Sequence, residues 1–173
     1  DQQDRLVSIA RDDRDTGVRI AALRKVIDPA IVAAIGRADA DGRVREEAVS
    51  LLIGVAIGAF EGTDQAESLV ALTGLSAPKH IVAVARGAAN EAVARAAVSR
   101  VSEDGALGSI ARRAGHAAIR AEALARIAGQ AELAAVALRT ELKDTAVAAV
   151  ERLTTRDVLD DVANRAKNKT AAK

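Results

Sequence analysis

One spacing constrains this chain more than any other feature. An apolar residue followed by Ala, once by Gly, recurs at Ile9-Ala10, Ile35-Gly36, Val84-Ala85, Ile110-Ala111, Val136-Ala137 and Val162-Ala163, at intervals of 26, 49, 26, 26 and 26 residues. A fixed period of this length marks a chain built from one small unit copied end to end, each copy too small to bury its own apolar face. The interval of 49 is close to two periods less three, and Val70 falls 26 after Val44, so a degenerate unit is expected in the middle, over residues 52–76. About six units and a terminal helix fill the chain.

Within a unit, an apolar cluster such as LVSIA or LGSIA precedes a polar break and then a second cluster such as VRIAALRKV or IRAEALARI. Val18, Ala21, Ala22 and Val26 recur at steps of three and four, the period of one helix face, where a strand would alternate by two. Composition agrees: 42 of 173 residues are Ala and only two are Pro, a mixture that favours helix. Asp15 and Asp41 stand three residues before Val18 and Val44, placed to cap second helices by accepting from unpaired amides. Asp28-Pro29 and Ala77-Pro78 mark the starts of first helices, where a missing N–H costs nothing. The expected fold is all-α: an α-solenoid of about six helical hairpins and a terminal helix, in one domain over residues 1–173.

The same composition excludes much chemistry. There is no Cys, Met, Trp or Tyr, one Phe (Phe60) and two His (His80, His116), which removes thiol catalysis, thiolate metal sites and most base stacking. His80 and His116 have no second His at ligand spacing, and the adjacent acids Glu46-Glu47 and Asp160-Asp161 point in different directions on a helix. Neither an enzyme nor a cofactor is expected. The most apolar stretch, Val49–Phe60, is 12 residues long, short of the roughly 20 that span a bilayer. It reads as a helix covered either by the irregular third unit or by a partner. The chain begins at Asp1 with neither Met nor leader, so it is expected to be a piece of a longer protein; freedom from Cys is compatible with the cytoplasmic location expected here.

The units read DxDxxVRxxAL in the first repeat (Asp13, Asp15, Val18, Arg19, Ala22, Leu23) and DADGRVREEAV in the second (Asp39, Asp41, Val44, Arg45, Ala48, Val49). This pattern resembles the HEAT-like repeat family, and the resemblance implies an α-solenoid that serves as a scaffold or interaction module. The later units, AELAAVALRTELKDTAVAAVERL and the terminal DVANRAKNKTAAK, are also similar to a group of uncharacterised bacterial proteins in which such repeats accompany a charged coiled-coil domain of unknown function. Residues 52–76 lack the VR pair, and Ala94 and Ala148 stand where its Arg would be. Some HEAT-like proteins are DNA glycosylases, but those sites need aromatic walls around a carboxylate, and Phe60 stands alone here.

Two sets of Arg are candidate binding residues. The first follows the apolar pair of each first helix: Arg11, Arg37, Arg86 and Arg112, with Arg139 and Arg165 one residue later. Such a column could follow a phosphate backbone; equally, a cation in a helix's last turn stabilises it by roughly 0.3–1 kcal/mol with no ligand at all. The second set, Arg19, Arg45 and Arg120, falls on second helices that line the concave face in the resembled family, where they either read an acidic partner or pair with Asp15 and Asp41. Charge is uneven along the chain: residues 1–90 carry 11 basic and 13 acidic side chains, residues 91–173 carry 14 and 11, with a basic end at Arg165, Lys167, Lys169 and Lys173. The function these features favour is a protein-interaction scaffold with an unidentified protein partner. Nucleic-acid binding along the basic edge is the alternative, and a spacer between other domains a further one. Phosphate tracking requires the Arg column to be free of acidic partners, whereas a scaffold tolerates paired charges.

Overall fold

A computed structural model describes residues 1–165, so Lys167, Lys169 and Lys173 of the basic end lie outside the described residues. The described chain is all helical, with twelve helices: α1 (Gln2–Asp12), α2 (Thr16–Leu23), α3 (Pro29–Ala38), α4 (Gly42–Ile57), α5 (Gln65–Gly74), α6 (Pro78–Gly87), α7 (Glu91–Ser99), α8 (Asp104–Arg113), α9 (Ala117–Arg126), α10 (Gln130–Arg139), α11 (Lys143–Glu151) and α12 (Arg156–Arg165). From α5 onward each helix begins 13 residues after the one before, at 65, 78, 91, 104, 117, 130, 143 and 156. The 26-residue period is therefore two equal helical half-units. The apolar-Ala pairs fall on α1, α3, α6, α8, α10 and α12.

Local chemistry accounts for the short turn inside each hairpin. Asp13 Oδ1 accepts from the Asp15 amide (2.9 Å) and Asp39 Oδ1 from the Asp41 amide (2.8 Å), closing three-residue turns. Asp15 and Asp41 then cap α2 and α4, accepting from the amides of Val18 (3.0 Å) and Arg43 (2.8 Å). Pro29 and Pro78 open α3 and α6 as expected.

The irregular middle has a simple origin. Register calls for a helix from 52, one period before α6, but SLLIGVAI offers no Pro, Asp or other break, so α4 runs on to Ile57 and reaches 16 residues. Gly58 ends it in the left-handed region (φ 77°); the Gly58 amide donates to the Val55 carbonyl and the Ala59 amide to that of Gly54, a Schellman closure. The expected third hairpin is thus an extension of α4, a loop over 58–64 and the single helix α5. Leu52 and Ala56 are buried, but Leu51, Ile53, Val55 and Ile57 are only half-buried and Phe60 is exposed. The third unit does not cover this stretch completely.

By its internal packing the chain falls into two compact units: Asp1–Val84 with Ala88–Val93, and Ala85–Gly87 with the described chain from Ala94 on. In the first unit, α1 packs on α2, α3 on α4, and α5 on both α3 and α4. Its core includes Leu23, Val44, Leu52 and Leu72. In the second, α8 packs on α9 and α10 on α11, while α10 also touches α8 and α12, around Leu107, Ile110, Ile119 and Val136. Within each unit this is the packing of an α-solenoid-like helical repeat.

A second Arg periodicity binds successive hairpins in the second unit. Arg126, the last residue of α9, donates to the carbonyls of Val98 and Val101; Arg152, which follows α11, donates to those of Leu124 and Ile127. Both reach back 28 and 25 residues, onto carbonyls at a helix end, of which those of Val98 and Leu124 also accept from the amides of Val101 and Ile127.

Candidate functional site

The two sets of Arg have different surroundings. On the second helices, Arg19, Arg45 and Arg120 each sit in the first turn and reach back across the hairpin turn. Arg19 donates to the Asp13 carbonyl (2.9 Å), Arg45 to those of Asp39 (3.0 Å) and Ala40 (2.7 Å), and Arg120 to those of Ala114 (2.8 Å) and Gly115 (3.0 Å). They hold the end of the preceding helix. Arg19 also forms a two-pronged pair with Asp39 of the next hairpin (2.8 and 3.1 Å), so its acidic partner is Asp39 rather than Asp15 or Asp41. The hydrogen bond from Arg19 holds the Asp39 carboxyl below the usual carboxylate range, against the opposing effect of burial. Thr16 donates to Asp41 (2.7 Å) and lowers that carboxyl in the same way. One period after Arg120 stands Ala146, on α11, so the missing Arg belongs there rather than at Ala148.

The first-helix set is less committed to the fold. Arg11 and Arg37 are exposed, in the last turns of α1 and α3, without an acidic partner among the described residues. Arg86 is half-buried on α6, and its Nε is buried with no hydrogen-bond partner. Arg112 pairs with Glu132 of α10 (2.8 Å), an arrangement that Gly108 permits, since a Cβ there would stand 1.8 Å from Glu132 Oε1. Arg139 is exposed and unpaired among the described residues. Arg165 is tied to Asp161, one turn earlier on α12 (2.9 Å). Four of the six thus lack an acidic partner, while Arg112 and Arg165 have one, so the column is not free of acids along its whole length.

Structure brings three of the sequence candidates together. Arg112, Arg120 and Arg139 line one cavity of about 530 Å³ in the second unit, joined by Arg113 and a single acid, Glu141. Arg113 escaped sequence reasoning although it stands one 26-residue period before Arg139, in the register of Arg139 and Arg165; that spacing, with adjacency to Arg112 in a helix's final turn, was the available signal.

The first unit carries a different surface that no single motif announced. Two adjoining cavities of about 270 and 510 Å³ share Ile27, Pro29 and Glu67. The smaller is lined by Leu51, Leu52 and Val55 of α4 with Val32 and Phe60, and the larger by Val7, Ile31 and Val70. Ile27 is 68 % exposed, Phe60 48 % and Val70 40 %, large apolar side chains concentrated around one groove. A Cβ on Gly54 would stand 2.7 Å from the Phe60 ring, so it is the bare backbone of α4 that lets the ring lie there. Acids surround the groove: Glu61 and Glu67 at one cavity, Asp4 and Asp28 at the other. The one cation, Arg24, is held by Glu47 in a two-pronged pair (2.8 and 2.9 Å), which lowers the Glu47 pKa.

His80 lies in the first turn of α6, its pKa lowered by burial and by Lys79. No helix among the described residues is long and apolar enough to cross a membrane. Comparison of this chain with protein-family models, with curated proteins and with solved structures gave no match.

Proposed function

We propose that this chain is a non-enzymatic protein-interaction scaffold of the HEAT-like repeat type, and that the groove of its first unit is where a partner docks. The observation that carries the reading is the groove itself: apolar in its lining, and formed where the 26-residue register calls for a first helix that the chain does not supply. A partner's amphipathic helix laid beside the overhang of α4 would bury Ile27, Phe60 and Val70, the helix-in-groove mode of recognition. The rim of Asp4, Asp28, Glu61 and Glu67 favours a partner helix with basic flanks.

Freedom from Cys makes the test direct. A Thr63→Cys variant takes one environment-sensitive dye at the groove, and is titrated with an amphipathic Leu-rich helical peptide flanked by Lys, or with the same peptide flanked by Glu. Saturable binding of the Lys-flanked peptide, abolished by Ile27→Glu or Val70→Glu, is the expected result; both replaced side chains are exposed, so the fold survives. Binding by neither peptide would overturn the reading, and equal binding by both would remove the role given to the acidic rim.

A further inference from the structure

We propose that the four-Arg cavity of the second unit binds a phosphate monoester, in the form of a phosphorylated side chain on a protein partner. Arg112 and Arg113 come from the last turn of α8, Arg120 from the first turn of α9 and Arg139 from the end of α10. Each guanidinium presents five N–H donors in a planar fork. Arg112 uses one on Glu132 and Arg120 uses two N–H···O bonds on the Ala114 and Gly115 carbonyls, while Arg113 and Arg139 have no side-chain partner among the described residues. Most of the donors facing the cavity are therefore uncommitted, and Arg120 and Arg112 are held in place by the bonds they do make.

Charge decides the ligand class. Four cations against Glu141 in the lining and Glu132 on Arg112 leave the site at +2, more than one carboxylate would neutralise, whereas a phosphate monoester brings about −1.5 to −2 and three acceptor oxygens that suit forked donors. The positive field is also local. Next along the unit, Arg139 and Arg165 share a second cavity with Asp157 and Asp161, and Asp161 already holds Arg165. An extended polyanion leaving the four-Arg cavity on that side would meet acids instead of further free cations, so a single phosphate fits better than a backbone. That the phosphate arrives on a protein rests on the scaffold reading above; the preference for phosphate does not. The groove test concerns residues of the other unit, so either idea can fail alone.

The experiment follows arginine Nε–Hε resonances of ¹⁵N-labelled protein during titration with N-acetyl-O-phosphoserine amide, with N-acetylserine amide as the control and a twelve-nucleotide single-stranded RNA as competitor. Arg112, Arg113, Arg120 and Arg139 are expected to shift together and saturate with the phosphoserine compound alone. Arg113→Glu with Arg139→Glu should weaken that binding by about tenfold or more, and Arg139→Lys, which keeps charge but loses the fork, by less. Both residues are exposed and unpaired, and circular dichroism checks that the variants remain folded. Shifts that fail to saturate, that spread equally to Arg11 and Arg37, or that persist in the double variant would overturn the proposal. RNA displacing the phosphoserine compound at an equal or lower phosphate concentration would overturn it in favour of a nucleic-acid backbone.

Discussion

Replacing Arg152 by Met tests the idea that a periodic Arg fastens one hairpin to the next. Arg152 donates to two carbonyls at the end of α9, those of Leu124 and Ile127. The Leu124 carbonyl keeps a second partner, the Ile127 amide (3.1 Å), so the change deprives it of only one bond. The Ile127 carbonyl loses its charged donor, held at 2.7 Å. A hydrogen bond to a charged group is worth about 1.5–3 kcal/mol, and half-exposure of this site places the total near the low end, about 2 kcal/mol. Met keeps most of the aliphatic stem, so the loss isolates the guanidinium. At about 2–4 °C per kcal/mol for a chain of this size, the melting temperature should fall by about 4–8 °C. Circular dichroism at the helical band measures the fall, and amide hydrogen exchange over residues 124–130 should show local loss of protection. Arg126→Met, which removes bonds of the same offsets onto the Val98 and Val101 carbonyls, should have an effect of similar size. A melting temperature unchanged within about one degree in both variants would refute the reasoning.

Gly36→Ala should destabilise the first unit by about 1–2 kcal/mol, because overpacking outweighs the gain in helix propensity; the new Cβ would stand 2.5 Å from that of buried Ala48. Gly105→Ala on α8, whose Cβ would meet nothing within 4 Å, should instead stabilise by about 0.5–1 kcal/mol in the same urea titration; loss of stability there would show that packing at α8 has been misjudged. Asp39→Asn should lower stability at neutral pH. Because the folded Asp39 pKa is depressed by the bond from Arg19, its contribution is present above the unfolded-state carboxylate pKa and lost as pH falls through the folded value. The gap between wild type and variant should therefore narrow in acid, and a gap independent of pH in parallel melts would contradict this.

Much of the architecture is legible in the sequence because repetition forces it. A small hairpin must bury its apolar face on a neighbour, so the pairs from Ile9-Ala10 to Val162-Ala163 could be placed on separate helices at the 26-residue period, and the capping roles of Asp15 and Asp41 followed from their offset before Val18 and Val44. The middle was harder to read, because periodicity cannot say which member of a missing pair is absent. The interval of 49 suited a shortened pair of helices as well as what forms, three half-units of 13 and ten extra residues taken up by α4 and its loop. The signal that discriminates them lies in residues 50–57, which carry no helix stop before Gly58.

The Arg sets show why residue type and period alone do not assign a role. The VR arginines are anchored a fixed four residues after a capping position, and from there a long side chain can reach back to the turn it follows, which is what Arg19, Arg45 and Arg120 do. Their regularity belongs to the turn. At the ends of first helices, by contrast, what a guanidinium meets depends on the neighbouring hairpin. Glu132 reaches Arg112 because position 108 is Gly, and Arg139 forms no ion pair among the described residues although Glu141, Asp157 and Asp161 line the cavities it borders. Register alone therefore does not decide which donors stay free: among the described residues Arg11 and Arg37 are free in strict period, whereas Arg112 is paired. The period places an arginine at the end of a helix, but what it meets there is set by the side chains of the neighbouring hairpin, such as Glu132 over Gly108, and those vary from unit to unit.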